Sequence, residues 1–397
     1  MNKGVAITGM GIISAIGKNV EENYQSLINF QHGISRISNL ETRHADTFQV
    51  GEIKLSNEDL INQLELPADN NYSRTALLGL VAAKQAVAHA GIKDMRAYKT
   101  GLISATSVGG MDKTEDHYYE YLTSEKNRHF IDGHHAGDSA EKIAHELGIK
   151  GYVSTISTAC SSAANSIMLG ARMIQSGFLD RVIVGGTDCL SRFTINGFST
   201  LMILTDGHCA PFDEDRKGLN LGEAAAFLVL ESDTVVEKEN KEVLARLTGY
   251  GNANDAFHQT ASSENGEGAT LAMQKAFKVS QLDPSAISYI NAHGTATPNN
   301  DLSEGKAIQT VFGDQLPPLS STKAFTGHTL AAAGAIEAVY SILALQHQLA
   351  FPNLNFKTPI GGHGIVPVTD VKELPVNHVL SNSFGFGGNC STLIFSK

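Results

Sequence analysis

The sequence predicts an α/β fold in which buried strands alternate with helices. Three observations predict this fold. Short runs of β-branched and apolar residues recur along the chain, and patterns with helical spacing lie between them. Charged residues make up only 18% of the composition, and 38 glycines allow helices to pack closely on sheets. With 397 residues the chain exceeds one ordinary core, so we expect two domains or two closely packed halves.

The elements of the first half alternate in the expected way. Residues 4–14 indicate a short buried strand followed by a glycine turn. Apolar spacing over 72–90 predicts a strong helix that stops at Gly91. The remaining predicted strands cover residues 101–106, 181–186 and 225–230, and the remaining helices cover 139–146 and 161–175.

The second half repeats this scheme. Residues 243–251 echo the opening strand and its Thr-Gly-x-Gly sequence, and residues 287–294 indicate a buried strand that ends at a polar turn. Residues 319–328 lead into a long predicted helix over 329–346, much as 153–160 lead into theirs.

This repetition predicts two related halves, residues 1–235 and 236–397. The charged segment 231–241 joins them and is predicted to form a solvated helix. A cysteine in a strand-to-helix turn belongs to the first half, and two histidines in glycine-flanked turns belong to the second.

Composition narrows the possible functions and partners. The formal net charge is −11 and no extended Lys/Arg run is present, which argues against nucleic acid as a partner. We expect no membrane-spanning stretch of about 18 apolar residues and no secretory leader, so the sequence predicts a cytoplasmic protein. The 4 cysteines lack metal-ligand spacing and disulfide-like density, so we expect a reduced protein without a metal.

Cys160 lies between a β-branched run and a helical pattern rich in Ala and Ser. In such a turn the partial positive charge of the helix N-terminus favours the thiolate. The small residues that follow leave room for a substrate and direct backbone N–H groups at the sulfur. The position indicates a nucleophile, and a buried structural cysteine remains the alternative.

Two histidines, His293 and His328, lie in glycine-flanked polar turns at the ends of predicted strands. Hydrogen-bonded core histidines are the alternative interpretation, and metal binding is poorly supported because no nearby carboxylate or cysteine completes a ligand set. His328 begins a helix, whose dipole disfavours an imidazolium, so a neutral ring could donate to a carbonyl oxygen. One thiol and two histidines indicate covalent catalysis on an acyl group.

Two glycine-rich segments carry weaker signals. The run 382–390 is predicted to be a tight turn between two strands, and a phosphate loop is disfavoured because no helical pattern follows. The pair Gly9 and Gly11 is a weak dinucleotide signal, since Ser14 stands where a third glycine is expected.

Five ordered segments resemble the elongating, two-histidine type of β-ketoacyl-acyl-carrier-protein synthase, over essentially the whole chain. The segments are Thr158-Ala-Cys-Ser-Ser, Pro211-Phe-Asp-Glu-Asp-Arg-Lys-Gly, Asn291-Ala-His-Gly-Thr-Ala-Thr-Pro, Lys323-Ala-Phe-Thr-Gly-His and Asn382-Ser-Phe-Gly-Phe-Gly-Gly. The resemblance implies a thiolase-like fold, with two duplicated βαβαβαββ halves in five α-β-α-β-α layers. It also implies a homodimer, with a heterodimer as the alternative.

The resemblance assigns catalytic roles. Cys160 would accept an acyl chain from a carrier-protein thioester, while His293 and His328 would stabilise the enolate formed by decarboxylation of malonyl-carrier protein. The backbone N–H groups of Cys160 and Phe386 would form the oxyanion hole, and Lys323 would be the active-site lysine. No metal or organic cofactor is implied, because the substrates themselves carry phosphopantetheine.

Supporting and substrate-binding roles follow from the same resemblance. Asp301 and Glu304 would orient the histidine loop together with Lys323, and Glu337 would be a buried structural glutamate. Phe386 would also gate the entry of acyl chains. The remaining implied substrate contacts are Thr260, Thr295 and Thr297 for the phosphopantetheine arm, Val108 for the acyl pocket, and Phe384.

Several positions differ from the fatty-acid enzymes of this family. Asn300, the run Gly222-Glu-Ala-Ala-Ala and the ending Gly-Gly-Asn-Cys-Ser resemble synthases of aryl-polyene and related pathways. The acyl substrate therefore stays open between fatty-acid elongation and a polyene or polyketide-like pathway. Further candidate functions are a thiolase, with Cys390 as its second catalytic cysteine, and a chain-length partner subunit, although such subunits typically lack the nucleophile.

An acidic carrier protein needs a local basic patch on this acidic chain. The short segment 204–211 lacks the basic residue that helps docking in relatives. The remaining candidates are Arg74, Lys126 and Arg128.

Overall fold

Strands from both halves of the chain pair into one ten-stranded sheet in the computed structural model, which describes residues 4–397. The strands of the first half are β1 (Val5–Ser14), β2 (Ile34–Arg36), β3 (Gln49–Gly51), β4 (Thr100–Ala105), β5 (Val153–Ile156), β6 (Arg181–Asp188) and β7 (Ala224–Glu231). Those of the second half are β8 (Ala245–Asn254), β9 (Tyr289–Asn291), β10 (Leu319–Ser320), β11 (Leu349–Ala350), β12 (Lys372–Glu373), β13 (His378–Phe384) and β14 (Asn389–Ser396). The pairs β2–β3 and β11–β12 form two small separate sheets.

Twelve α-helices are present among the described residues. The helices up to the end of the first half are α1 (Val20–Ile28), α2 (Asn57–Leu64), α3 (Arg74–His89), α4 (Met111–Tyr121), α5 (Gly137–Glu146), α6 (Ser162–Gln175), α7 (Arg192–Thr200) and α8 (Asp233–Glu239). They are followed by α9 (Glu267–Ser280), α10 (Pro298–Phe312), α11 (Lys323–Thr326) and α12 (Ala333–His347). Helix α8 confirms the helix predicted within the charged segment 231–241.

The two halves of the sheet have the same strand order. The first half reads β1-β7-β6-β4-β5 and the second reads β8-β14-β13-β9-β10, so each places its first strand beside its last. In each half, the two strand pairings nearest the middle of the ten-stranded sheet are antiparallel, and the two nearest its edge are parallel. Antiparallel pairing of β1 with β8 joins the halves. The boundary at residues 235 and 236 stays a prediction.

Helices and sheet form five layers. Helices α6 and α12 pack against each other in the centre, between the inner faces of the two half-sheets. Helices α3 and α5 cover the outer face of the first half, and α9 and α10 cover that of the second. This α-β-α-β-α arrangement confirms the thiolase-like fold class.

The central helix α12 corrects one expectation from composition. The stretch Leu330–His347 is apolar and long enough to cross a membrane, although we expected no such stretch, and 89% of it is buried inside the protein. A helix that is apolar on all sides is typical of a central layer. A buried carboxyl, Glu337, interrupts its apolar surface.

The opening glycines also differ from expectation, because β1 runs without a turn through Gly9 and Gly11. A Cβ atom on Gly11 would overlap the carbonyl oxygen of Ala82 in α3. In the second half, a Cβ on Gly251 of β8 would overlap the carbonyl oxygen of Ala272 in α9. The predicted glycine turn is wrong, and the repeated Thr-Gly-x-Gly sequence instead lets a helix approach a strand closely in each half.

Candidate active site

Cys160 lies in a short turn between β5 and α6, which we call the nucleophile turn (residues 158–161). Its preceding residue, Ala159, has a φ of 52°, a left-handed conformation that is uncommon for a residue with a side chain. At the end of this turn the N–H of Ser162 donates to the carbonyl of Ala159 at 3.1 Å. Cys160 is only 6% exposed and lines a cavity of about 250 Å³.

His293 and His328 line the same cavity. His293 follows β9, and His328 stands between α11 and α12. Their ring centroids are 5.4 Å apart with nearly perpendicular planes, at 87°. The structure therefore brings together the three candidate catalytic side chains from both halves of the chain.

Hydrogen bonds fix the tautomer of each histidine. The backbone N–H of Leu330 donates to Nδ1 of His328 at 3.1 Å, and Nζ of Lys323 lies 3.3 Å from Nδ1 of His293. Because both Nδ1 atoms accept, each ring carries its proton on Nε2. Burial and the charge of Lys323 hold the pKa of both imidazoles well below the usual value. Both rings are therefore neutral N–H donors in the cavity wall.

Lys323 forms a buried ion pair with Glu337 of α12. Its Nζ also donates to the backbone carbonyl of His293 at 2.6 Å. Burial raises the pKa of Glu337 to about 7, against the lowering effect of Lys323. Lys323 does not line the cavity, so the geometry places it behind His293 as a positioning residue.

Two buried carboxyl groups hold the loop that carries His293. Glu304 accepts the N–H groups of His293 and Gly294 at 2.9 and 2.8 Å. Asp301 accepts the N–H groups of Phe212 and Ala296 at 2.8 and 3.1 Å. Burial raises the pKa of both carboxyl groups, that of Glu304 to about 7.

Burial also governs the thiol, because it raises the pKa of Cys160 to about 11. The charge of Lys323 and the backbone N–H groups of Phe386 and Cys160 oppose this rise. The thiolate expected from the helix terminus is therefore not the resting form at neutral pH. These two N–H groups are also the two that the family resemblance assigns to an oxyanion hole.

The implied substrate-binding residues fall into two groups. Thr260, Thr295, Thr297, Phe384 and Phe386 all line the cavity. Val108 does not line it, but packs in a hydrophobic cluster with Phe198 and Leu219, which do.

Arg74 is unavailable for docking a carrier protein. Its guanidinium donates twice to Glu223, at 2.9 and 2.6 Å, and the side chains are 11% and 1% exposed. Lys126 and Arg128, by contrast, are exposed. Because α3 packs on the sheet, the start of this helix lies inside the protein, which the sequence pattern did not reveal.

Sequence reasoning also missed three asparagines beside the nucleophile turn: Asn165, Asn252 and Asn389. Their carboxamides bond to one another, and those of Asn165 and Asn389 also bond to the turn. The unusual ending Gly-Gly-Asn-Cys-Ser was a signal for Asn389 alone.

A thiol that faces two neutral histidines on this five-layered fold defines the class of thiolase-like condensing enzymes. Family models described as "Beta-ketoacyl synthase, N-terminal domain" and "Beta-ketoacyl synthase, C-terminal domain" match residues 2–235 and 244–357. The chain belongs to the β-ketoacyl synthase family.

Relatives and solved structures agree with this membership. The chain is 34% identical to 3-oxoacyl-[acyl-carrier-protein] synthase 2 of Staphylococcus aureus (strain N315), over 100% of this chain and 99% of the relative. The protein of the same name in Coxiella burnetii is 33% identical, with 99% and 98% covered.

Among solved structures, the ishigamide ketosynthase/chain length factor has a TM-score of 0.93 and 29% identity, with both chains fully covered. A ketosynthase (ApeO) in complex with its chain length factor (ApeC), from Xenorhabdus doucetiae, has a TM-score of 0.86 and 33% identity, with 99% and 98% covered.

Proposed function

We propose that this protein is an elongating β-ketoacyl-[acyl-carrier-protein] synthase. It would move an acyl chain onto Cys160 and then condense it with malonyl-carrier protein to give a 3-oxoacyl-carrier protein. The observation that carries this proposal is one cavity lined by Cys160, His293 and His328, with both histidines neutral. A non-catalytic chain-length subunit has no use for this constellation.

In the first step Sγ of Cys160 attacks the carbonyl carbon of the acyl thioester. A new S–C bond forms, the bond to the pantetheine sulfur breaks, and the thiol proton ends on the departing pantetheine thiol. Negative charge develops on the carbonyl oxygen between the N–H groups of Cys160 and Phe386. Removing one such donor typically slows a reaction by about 10²–10³-fold.

In the second step the malonyl thioester carbonyl accepts hydrogen bonds from Nε2 of His293 and of His328. The bond to the carboxylate breaks, CO₂ leaves, and the electron pair passes into an enolate. The enolate carbon attacks the acyl-Cys160 carbonyl, a C–C bond forms, and the cysteine sulfur leaves and regains a proton from solvent. The thioester carbonyl is the electron sink, so we expect no metal or organic cofactor.

Binding of the phosphopantetheine arm would use the threonines of the cavity. The hydroxyls of Thr295 and Thr297 lie 2.9 Å apart, and Thr260 stands on another loop of the lining. The expected partners are an acyl carrier protein and a second subunit in a cytoplasmic homodimer. A heterodimer is the alternative, because the similar ApeO ketosynthase was solved with a chain length factor.

A polyene or polyketide-like pathway is a second candidate for the substrate. It is favoured by the likeness to the ishigamide ketosynthase/chain length factor and by the unusual ending at residues 389–391. A thiolase is disfavoured: Cys390 lines the cavity, but a thiolase leaves His328 and the buried Lys323 unexplained.

The test is mass spectrometry of the protein after incubation with saturated and polyenoyl acyl-carrier proteins, together with CO₂ release from malonyl-carrier protein. Cys160→Ala should abolish condensation and retain some decarboxylation. His328→Ala should slow decarboxylation by about 10²–10³-fold and still allow acylation of Cys160.

Full condensation by Cys160→Ala would refute the proposal. Cleavage of acetoacetyl-CoA by free CoA would indicate a thiolase instead. The chain that acylates Cys160 fastest distinguishes fatty-acid elongation from a polyene pathway.

A further inference from the structure

Two segments from different halves of the chain surround the sulfur of Cys160. One is the nucleophile turn, between β5 and α6, and the other is the Phe386 loop (residues 385–388), between β13 and β14. Each carries one of the N–H groups near the sulfur. They approach so closely that a Cβ on Gly385 would lie 2.8 Å from the carbonyl oxygen of Thr158.

Asn389 connects these two segments directly. Its backbone carbonyl accepts the N–H of Gly385 at 2.8 Å, which closes the Phe386 loop. Its side-chain oxygen accepts the hydroxyl of Ser161 at 2.8 Å and the amide of Asn165 at 2.9 Å. A third donor to the same oxygen is the amide of Asn252 in β8, at 2.8 Å.

Two hydrogen-bond partners of Asn389, Asn165 and Ser161, also bond to Thr158 in the nucleophile turn. The amide of Asn165 also donates to the hydroxyl of Thr158 at 2.9 Å, and the single hydroxyl proton of Ser161 is shared between Asn389 and the carbonyl oxygen of Thr158, which lies 2.7 Å away. The turn contains the left-handed Ala159, a conformation that persists only where surrounding contacts hold it. Half-buried hydrogen bonds of this kind are stronger than those in water.

We propose that the Asn389 carboxamide is a positioning residue that fixes the spacing between the N–H of Cys160 and the N–H of Phe386. It thereby sets how well the oxyanion is stabilised when an acyl group moves onto Cys160. The inference rests on the proposed function. Oxyanion donors act at about 2.7–3.1 Å from the oxygen, and a misplacement of about 1 Å costs up to about 10²-fold in rate.

The test compares Asn389→Ala with the wild type in three reactions. Acylation of Cys160 by the best acyl-carrier protein should slow by about 10-fold in kcat, with KM little changed. Alkylation of Cys160 by iodoacetamide should slow less than acylation does, because the two N–H groups also stabilise the thiolate but no oxyanion forms. Decarboxylation of malonyl-carrier protein, measured in a Cys160→Ala background, should stay unchanged, because it uses the histidines.

Two further variants make the result specific. Asn389→Thr keeps an acceptor on a shorter side chain, so the acylation of Cys160 should again slow selectively, but by less than in Asn389→Ala. Asn19→Ala removes a carboxamide oxygen that accepts a backbone N–H at the exposed start of α1, and all three rates should equal those of the wild type.

The outcomes separate the possibilities. Equal acylation by the wild type and Asn389→Ala would overturn the inference, as would a parallel fall of all three rates, which indicates general structural damage. If Asn389→Ala does not fold, the selective loss must appear in Asn389→Thr, and its absence there overturns the inference. A wild type that is not acylated at all refutes the proposed function as well.

Discussion

At the scale of single residues, burial determines the protonation states of the cavity. The imidazoles of His293 and His328 stay neutral because a charged ring would lose its hydration beside Lys323. The same desolvation keeps Cys160 protonated at rest, although a helix begins directly after it. The thiol therefore loses its proton as the substrate thioester is attacked.

The pH dependence of alkylation checks this thiol. Because the pKa of Cys160 is raised to about 11, its thiolate fraction grows through the whole range from neutral to pH 11. The rate of iodoacetamide modification, followed by peptide mass spectrometry, should rise about tenfold per pH unit above pH 7. A plateau near pH 7 would mean that the helix terminus outweighs burial.

At the scale of elements, glycines in strands determine how closely the helices approach. Gly11 in β1 and Gly251 in β8 face the backbones of α3 and α9, where no Cβ fits. These contacts keep the outer helix layers against the two half-sheets. Because the two glycines occupy equivalent positions in the two halves, the repeated Thr-Gly-x-Gly sequence serves helix–strand packing.

A pair of alanine substitutions tests this packing. Gly11→Ala should lower the free energy of unfolding in urea by about 1–3 kcal/mol, because the new methyl group collides with the backbone of α3. Gly197 lies in helix α7, and no atom lies within 4 Å of a Cβ added there. Gly197→Ala should therefore raise the free energy of unfolding by about 0.5–1 kcal/mol. Equal effects of the two substitutions would contradict the close contact.

At the scale of the whole molecule, charge limits where an acidic carrier protein can dock. The chain has a formal net charge of −11, and the ion pair with Glu223 removes Arg74 from the surface. Lys126 and Arg128 follow α4 and remain exposed. Complementary charges mainly increase the rate of association, so their effect should appear in KM.

Charge reversal tests whether Lys126 and Arg128 dock a carrier protein. The double substitution Lys126→Glu and Arg128→Glu should raise KM for acyl-carrier protein about 3–10-fold and leave kcat unchanged. KM for a small acyl-pantetheine thioester should not change. The control pair Lys93→Glu and Arg96→Glu precedes β4, at the end of the parallel strands opposite Cys160, and should have no effect. An equal KM rise in the control would indicate only a general charge effect.

Local patterns made much of the fold predictable. The helices α3 and α6 and the strands β4, β6 and β7 lie within a few residues of the predicted segments. Periodicity depends on neighbours in sequence, so it could be read directly. The buried strand within residues 4–14 was predicted correctly, but its glycine turn was not, because a strand glycine and a turn glycine look alike until the helix packed against the strand is known.

The α/β alternation, the repeat, and the Cys160, His293 and His328 set that resembles the family could all be read from the order of the amino acids. The folded protein was needed to show the protonation states, the burial of Arg74, the position of Val108 outside the cavity lining, and the link through Asn389. Each of these depends on desolvation or on hydrogen bonds between residues far apart in the chain. Such contacts exist only once the two halves have packed together.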